Sequence, residues 1–371
     1  MSDDRIIPVI MPKWGLSMTE GKLTGWLIDE GTDIAVGDEI MEVETDKITN
    51  VVEATDAGLL RRHVAAAGTT HPIRALLGVL APPEISDDAV AAFVEAFEAP
   101  QPSDEDNADA GPQYEFAETP AGRLRYAVRG DSGPVIVLIH GFGGDLDNWL
   151  FNIDALARNA TVYALDLPGH GQSVKSVADG GLPGLARSLE AFMDAVGIEA
   201  AHLVGHSMGA AVAATLAITS PDRVSSLCLI SAAGLGPQIS SAYIDGFVAA
   251  STRRELKPVL QTLFDDPSMV TRAMVDDLLK YRRLDGVQEA LSRLALDLFA
   301  GGMQDTVLAG EIAALEARSL VVWGQGDQVI PAAHAQNLPG AQVAVLEGAG
   351  HMVQMEKATQ VNELILGHIF S

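Results

Sequence analysis

The chain has 371 residues, 48% of them hydrophobic, which is enough for two domains with full-sized cores. It carries 24 basic and 50 acidic side chains, a formal net charge of −26, and so acidic a surface repels nucleic acids and anionic membranes. No apolar run approaches the ~18 residues of a membrane span, and the first residues have no signal-peptide pattern. The lone cysteine, Cys228, excludes an internal disulfide and fits a reducing cytosol. These features predict a cytoplasmic protein that binds neither nucleic acids nor membranes.

Residues 1–80 contain an internal repeat, which appears when the segment is compared with itself after a shift of 37 positions. Glycines and apolar residues then coincide in pairs that include Gly21 with Gly58, Leu23 with Leu60, Gly31 with Gly68, Ile40 with Leu77 and Val43 with Leu80. Such a repeat predicts two equivalent sets of short strands related by a pseudo-two-fold axis. The two sets are expected to face each other as a flattened all-β barrel or sandwich.

A hairpin is predicted between the two halves of this repeat. Two runs of alternating apolar and polar residues, 41–45 and 48–53, are joined at Asp46-Lys47. Alternation on both sides of a polar pair places Lys47 at the tip of the turn. From the residues alone, Lys47 is either an ordinary solvated lysine or an exposed attachment point.

The surroundings of Lys47 resemble the attachment site of lipoyl domains, the carrier modules of the 2-oxo acid dehydrogenase complexes. The string Glu44-Thr45-Asp46-Lys47 matches that family's motif, and glycines lie sixteen residues before the lysine (47 − 31) and eleven after it (58 − 47). The resemblance covers essentially all of residues 1–80 and implies that Lys47 carries lipoate in amide linkage. Biotin carriers have methionine on both sides of the lysine, whereas Asp46 and Ile48 are found here, so biotin is disfavoured.

Residues 81–112 are predicted to form an acidic linker. They contain nine acidic side chains, five prolines and no basic residue, so self-repulsion and proline stiffness keep the segment extended and mobile. A chain of this length spans roughly 30 Å, which lets the carrier visit more than one active site. Within the linker, Ser86 is placed to cap a short helix with an apolar face from Val90 to Phe97. We expect that face to pack on the second domain, with docking on a partner subunit as the alternative.

From residue 113 to the end, apolar strands alternate with helical segments, a pattern typical of a parallel sheet covered by helices on both faces. The strands are expected at residues 123–128, 135–139, 161–165, 201–204, 224–230, 320–323 and 343–346. A long helical insertion is expected between the strands at 224–230 and 320–323.

The sequence Gly205-His206-Ser207-Met208-Gly209 stands between a short strand and an alanine-rich helix, which is the setting of a nucleophile elbow. The sharp turn from strand to helix strains the serine backbone, and glycines two residues before and after it avoid side-chain collisions. The turn holds the Ser207 hydroxyl at the sheet edge and aims the first amides of the helix at whatever the hydroxyl attacks. The motif therefore predicts a serine nucleophile.

Residues 113–371 resemble the α/β-hydrolase family, with the insertion at 237–310 as a helical cap. The resemblance implies that Ser207 is the nucleophile, Asp327 after a late strand the orienting acid and His351 the base, in the chain order of this fold. A serine hydroxyl is a poor nucleophile until an imidazole accepts its proton, and a carboxylate holds that imidazole in the required tautomer.

The same resemblance implies an oxyanion hole made by the amides of Phe142 and Met208. Asp166, at the end of another strand, is the alternative acid, although the Gly-x-x-Asp setting of Asp327 is the better match. His140 and His206 are expected to be structural members of their loops.

A carrier lysine and a serine acyl-transfer site share one chemistry, because an acyl group on dihydrolipoamide is a thioester. The combination resembles, over the whole chain, the dihydrolipoamide acetyltransferase components of bacterial acetoin dehydrogenase complexes. The resemblance implies acetyl transfer from dihydrolipoyl-Lys47 to coenzyme A as co-substrate. It implies as partners a thiamine-diphosphate-dependent acetoin-cleaving component, dihydrolipoamide dehydrogenase and further copies of this chain. The acyltransferases of other 2-oxo acid complexes carry His-x-x-x-Asp, a pattern absent from this sequence.

Two other functions stay open. The chain is alternatively a thioesterase that hydrolyses the lipoyl-bound acyl group, or a lipoyl carrier whose second domain is a non-catalytic scaffold. No coenzyme A site is visible in the sequence. The basic residues of the expected cap are candidates for phosphate binding, although solvated helix faces are their simpler interpretation: Arg253, Arg254, Lys257, Arg282 and Arg283.

Overall fold

The structure is a computed structural model, and it describes residues 5–14, 18–45, 49–97, 99, 114–177 and 180–371. The described residues up to residue 99 form one compact unit, and nearly all of those from residue 114 onward form a second. In the described ranges no helix has both the length and the apolar character needed to cross a membrane.

The first unit contains eight strands: β1 (Ile7–Ile10), β2 (Glu20–Trp26), β3 (Asp33–Ile34), β4 (Glu39–Glu44), β5 (Thr49–Glu53), β6 (Gly58–His63), β7 (Thr69–Pro72) and β8 (Leu76–Leu80). They form two four-stranded antiparallel sheets, ordered β1-β8-β6-β3 and β5-β4-β2-β7. Both sheets contribute to one apolar core, in which Leu23, Met41, Leu60 and Leu77 are completely buried.

The two sheets are related in the way that the internal repeat predicts. Each strand of the first sheet corresponds to the strand four positions away in the chain. The order β1-β8-β6-β3 then becomes β5-β4-β2-β7, which is the order of the second sheet. Repeated residues also occupy equivalent places: Leu23 and Leu60 both have 0% exposure, and Gly31 and Gly68 have φ angles of 90° and 86°. The predicted all-β fold with a pseudo-two-fold axis is therefore confirmed.

Strands β4 and β5 form the hairpin expected around the candidate lipoyl site. Their pairing runs from Glu39 with Glu53 to Glu44 with Thr49. Residues 46–48, which include Lys47, lie outside the described part of the chain.

A helix at Asp87–Ala96 follows strand β8, and the Ser86 hydroxyl accepts a hydrogen bond from the Ala89 amide at 3.2 Å. Its face packs on the β domain, where Val90 is buried in a cluster with Val79. This differs from the expected contact with the second domain. The reason is local, because Arg61 donates to the carbonyls of Pro82 and Ile85, at 3.0 and 2.8 Å, and turns the chain back onto the sheet that it has just left.

The second unit contains strands β9 (Tyr114–Thr119), β10 (Gly122–Arg129), β11 (Val135–Ile139), β12 (Thr161–Leu165), β13 (Ala201–His206), β14 (Val224–Ile230), β15 (Arg318–Gly324) and β16 (Gln342–Leu346). They form one eight-stranded sheet in the order β16-β15-β14-β13-β11-β12-β10-β9. The six strands from β11 to β16 are parallel, whereas β10 runs antiparallel to both of its neighbours. The carboxyl ends of β13, β14 and β15 therefore lie side by side at one edge of the sheet.

Helices accompany this sheet at Ile153–Ala157, Leu182–Ala195, Met208–Thr219, Ala309–Ala313, Val353–Glu356 and Ala358–Phe370. Four more lie between β14 and β15, at Ser241–Ala249, Arg253–Gln261, Arg272–Tyr281 and Val287–Phe299. The first of these packs against the second and the fourth. The insertion expected at residues 237–310 thus contains four helices. We call these four helices the cap.

Candidate active site

Ser207 occupies the turn between β13 and the helix Met208–Thr219. Its backbone has φ 53° and ψ −118°, a conformation that residues other than glycine rarely adopt. The turn is held from a neighbouring strand, since the Ser207 amide donates to the Ile230 carbonyl at 2.9 Å. Backbone strain of this kind persists only where the surrounding structure enforces it, and it concentrates at functional sites.

The two glycines of the elbow are required by close backbone approach. A Cβ atom at Gly209 would lie 2.2 Å from the Ile139 carbonyl oxygen, and one at Gly205 would lie 2.5 Å from the Ala210 amide nitrogen. Neither neighbour is the end of a flexible side chain, so a larger residue would displace the turn itself. These close approaches explain why glycine stands two residues before and two residues after Ser207.

Asp327 and His351 meet at the same edge of the sheet. Asp327 follows β15, His351 follows β16, and the His351 Nδ1 atom donates to Asp327 Oδ2 at 2.8 Å. The two side chains are buried, with 2% and 0% exposure for His351 and Asp327. This hydrogen bond leaves the Nε2 atom of His351 as the acceptor, the tautomer that a general base requires.

The Asp327 carboxylate is itself fixed by three further donors. Oδ1 accepts from the amides of Val329 and Ile330, at 2.8 and 3.0 Å, and Oδ2 accepts from Trp323 Nε1 at 2.9 Å. The sequence analysis did not identify Trp323 as part of the site. Its only signal was a position near the end of β15, four residues before the acid (327 − 323).

His351 lies against the elbow. Its carbonyl accepts from His206 Nε2 at 3.0 Å, and the two imidazole rings have centroids 4.8 Å apart. Burial, followed by the proximity of His351, lowers the pKa of His206 well below its ordinary value, so His206 stays neutral. His206 thus supports His351, as the sequence interpretation of it as a structural residue expects. Within the described residues no hydrogen bond joins the Ser207 hydroxyl to the His351 ring; in enzymes of this kind such a bond often tightens only when substrate is present.

The amides of Phe142 and Met208 both lie beside the elbow. Met208 is the first residue of the helix after Ser207, and Phe142 follows Gly141, where a Cβ atom would lie 3.0 Å from the Cβ of Ser207. Neither amide donates a hydrogen bond to any part of the chain that the structure describes. Two free N–H groups at a serine are the arrangement that stabilises an oxyanion.

The loop that carries Phe142 is held by a buried histidine. The Gly143 amide donates to His170 Nε2 at 3.1 Å, and His170 Nδ1 donates to the Pro168 carbonyl at 3.1 Å. Burial lowers the pKa of His170 well below its usual value, which keeps Nε2 free of a proton and able to accept. No motif in the sequence assigns a role to His170, because the residue it supports lies 27 positions away (170 − 143).

The cap lies directly over this loop. The Phe142 ring contacts the rings of Phe247 and Phe299, with centroids 5.7 and 5.9 Å apart, and all three side chains are buried. At Gly143, which has φ 75°, a Cβ atom would lie 2.4 Å from the Phe247 ring. Two of the cap helices therefore close the oxyanion side of the site with apolar surface.

Asp166, the alternative acid, is engaged elsewhere. Its carboxylate has 0% exposure, accepts from Arg125 Nε at 2.6 Å and also accepts from the amides of Leu146 and Gln172 at 2.9 and 2.7 Å. The His351 ring donates its hydrogen bond to Asp327 and not to Asp166. The geometry favours Asp327 as the orienting acid.

Breaking the Arg125–Asp166 pair is expected to destabilise the second unit. Arg125→Met would leave a buried carboxylate without its cation, which costs about 3–5 kcal/mol. Differential scanning calorimetry of the full chain should show the transition of the larger unit at a clearly lower temperature. Lys280→Met is the matched control, because Lys280 pairs with Asp277 at 2.7 Å on an exposed surface and should change little. Equal shifts in the two variants would contradict the expectation.

Known proteins match both units. A family model described as alpha/beta hydrolase fold matches residues 134–358, and one described as biotin-requiring enzyme matches residues 7–74. The chain is 55% identical to the dihydrolipoyllysine-residue acetyltransferase component of the acetoin cleaving system of Cupriavidus necator, over 98% of this chain and 97% of that protein. The component of the same name from Pseudomonas putida is 48% identical, over 98% and 99%.

The chain belongs to this family of acetyltransferase components. The family suggested by the sequence and the two-part fold class are both confirmed. Among solved structures, a meta-cleavage product hydrolase from Pseudomonas fluorescens is similar with a TM-score of 0.63 and 24% identity, over 69% of this chain and 97% of that chain. This likeness concerns the fold of the second unit.

The five basic residues that were candidates for phosphate binding lie in different surroundings. Arg282 is buried and donates to the carbonyls of Phe247 and Val248, so it holds two cap helices together. Arg253 pairs with Asp276, with 2.7 Å between Nε and Oδ1. The other three candidates are exposed at the cap surface: Arg254, Lys257 and Arg283. Over the residues that the structure describes, no group of three or more His, Cys, Asp or Glu side chains could hold a metal ion.

Proposed function

We propose that this chain transfers an acetyl group from dihydrolipoyl-Lys47 to coenzyme A through an acetyl-Ser207 intermediate, as part of a complex that cleaves acetoin oxidatively. The observation that carries the proposal is the buried Asp327–His351 pair against the Ser207 elbow, on a chain that also has a lipoyl-type domain. The relatives from two bacteria, aligned over nearly their full length, support it by their names.

The first half-reaction forms the acetyl-enzyme. The Ser207 oxygen attacks the thioester carbonyl carbon while His351 Nε2 accepts the hydroxyl proton. The carbon–sulfur bond then breaks, and His351 returns the proton to the departing sulfur. Asp327 stabilises the imidazolium that exists between these two steps, and the amides of Phe142 and Met208 bind the oxygen that becomes negative.

The second half-reaction runs the same steps with a different thiol. His351 accepts the proton of the coenzyme A thiol, the sulfur attacks the acetyl-Ser207 carbonyl, and the carbon–oxygen bond of the ester breaks with the proton returning to Ser207. One base and one oxyanion hole therefore serve both half-reactions. Water must be kept from the ester until a thiol arrives, and the aromatic contact of Phe142 with Phe247 is one element of that exclusion.

The lipoyl group is proposed to be held by Lys47. The β4–β5 hairpin closes with Glu44 opposite Thr49, so Lys47 is among the four residues that join the strands, which suits a covalently attached arm. When bound, the group supplies a dithiol that carries the acyl group as a thioester. The proposed partners are the thiamine-diphosphate-dependent acetoin-cleaving component, dihydrolipoamide dehydrogenase and further copies of the chain, and the proposed location is the cytosol.

Lipoylation is expected at Lys47 alone. Expression with lipoate and a lipoate ligase should add one lipoyl increment to the intact mass, and Lys47→Ala should lose it completely. Lys22→Ala is the matched control, since Lys22 lies on the neighbouring strand and pairs with Glu44 at 3.3 Å. An increment that persists in Lys47→Ala would refute the assignment.

The function itself is tested with acetyl-dihydrolipoamide, supplied with and without coenzyme A. We expect acetyl-coenzyme A as the main product when coenzyme A is saturating. Acetate as the main product under the same condition would make the chain a thioesterase. Neither product from the folded chain would favour the scaffold function.

A further inference from the structure

A partly buried carboxylate joins the segment after a cap helix to the loop of His351. Glu356, at the end of the helix Val353–Glu356, accepts from the Asp265 amide through Oε1 and from the Gly350 amide through Oε2, both at 2.7 Å. Asp265 follows the cap helix Arg253–Gln261, and Gly350 directly precedes His351. One side chain therefore bonds two backbone segments that are 85 residues apart (350 − 265).

The two segments also touch directly. The Met352 amide donates to the Leu263 carbonyl at 3.0 Å, and a Cβ atom at Gly350 would lie 2.8 Å from the Asp265 nitrogen. Both neighbours of His351 in the chain are therefore held by hydrogen bonds: Gly350 donates to Glu356, and Met352 donates to Leu263. The position of the imidazole depends on a contact that the cap supplies.

Glu356 has no cation to balance it. No Lys or Arg forms an ion pair with it in the described part of the chain, and Asp265 is a nearby carboxylate. Burial raises the pKa of Glu356, and the backbone amides that it accepts from act in the opposite direction. The carboxylate is therefore held by backbone amides of the two segments and not by a cation.

We propose that Glu356 is a positioning residue, which fastens residues 263–265, in the connection after the cap helix Arg253–Gln261, across the His351 loop and so keeps water from the acetyl-enzyme. This inference rests on the proposed acetyl transfer. The carboxylate is needed because both of its oxygens accept from N–H groups. In Glu356→Gln the amide NH2 would face one of these donors, and that hydrogen bond would be lost.

The contact is tested directly by hydrogen–deuterium exchange on the full chain. In Glu356→Gln, exchange in peptides that contain Asp265 and Gly350 should become about tenfold faster or more, because a hydrogen bond to a charged group has been removed. Glu347→Gln is the matched control: its carboxylate is exposed, lies nine residues before Glu356 (356 − 347) and should leave both peptides unchanged. Unchanged exchange in Glu356→Gln would overturn the proposal.

The consequence for chemistry is tested by product partitioning. At fixed coenzyme A, Glu356→Gln should raise the ratio of acetate to acetyl-coenzyme A by roughly threefold or more. Val162→Ala, a core change in β12 away from the cap, controls for lowered stability and should keep the wild-type ratio. Faster exchange with an unchanged ratio would refute the role in water exclusion. If the wild-type chain releases only acetate, acetyl transfer fails, and the exchange experiment still decides whether Glu356 fastens the cap.

Discussion

Ser207→Ala is expected to lower acetyl-coenzyme A formation by about a thousandfold or more. The variant keeps the His351–Asp327 pair and the oxyanion amides but has no atom that can form the acyl ester. It should also fold, because the strained turn is held by the backbone bond from Ser207 to Ile230, which alanine retains. The measurement is acetyl-coenzyme A and acetate released from acetyl-dihydrolipoamide, with calorimetry to verify folding.

Ser220→Ala is the control for this experiment. Ser220 follows the same helix at its other end, and its amide donates to the Leu216 carbonyl at 2.8 Å, a bond that alanine also retains. It should transfer acetyl groups at the wild-type rate. Undiminished transfer in Ser207→Ala would mean that the elbow describes the fold and not the mechanism.

The sequence predicted those parts of the site that depend on short stretches of chain. The elbow can be recognised because its strand, turn and helix are consecutive in the chain, and a Cβ atom at Gly205 would collide with Ala210 only five residues later (210 − 205). The resemblance to the α/β-hydrolase family implied that Asp327 and His351 work together, and the parallel strands that precede them bring their carboxyl ends to one edge of the sheet. The repeat in the first unit was equally visible, because apolar positions at a fixed spacing encode equivalent strands.

Contacts between distant segments were not predictable in this way. Nothing in the pattern around Glu356 indicates that it accepts from an amide 91 residues earlier in the chain (356 − 265). The apolar face of the helix Asp87–Ala96 predicted burial but not the surface that buries it. A pattern specifies which side of an element is apolar, whereas the partner is decided by chain geometry, here by the hydrogen bonds of Arg61.

Asp327→Asn is expected to lower kcat by about three to four orders of magnitude, with a much smaller change in KM. The wild-type carboxylate accepts from four donors, two at each oxygen. Asparagine has one oxygen, so its NH2 group must face either the amides of Val329 and Ile330 or the His351 ring. In the second orientation, the imidazole shifts its proton to Nε2 and can no longer accept the proton of Ser207.

The control for this prediction is Asp222→Asn, an exposed aspartate in the short turn before β14, which should keep wild-type kcat. Asp166→Asn addresses the competing assignment. Because Asp166 pairs with buried Arg125, this variant should lower the unfolding temperature far more than it lowers the kcat of the folded protein. A thousandfold loss of kcat in a folded Asp166→Asn, with Asp327→Asn nearly active, would transfer the role of orienting acid to Asp166. The hydrogen bond from His351 Nδ1 to Asp327 is the physical reason to expect the opposite.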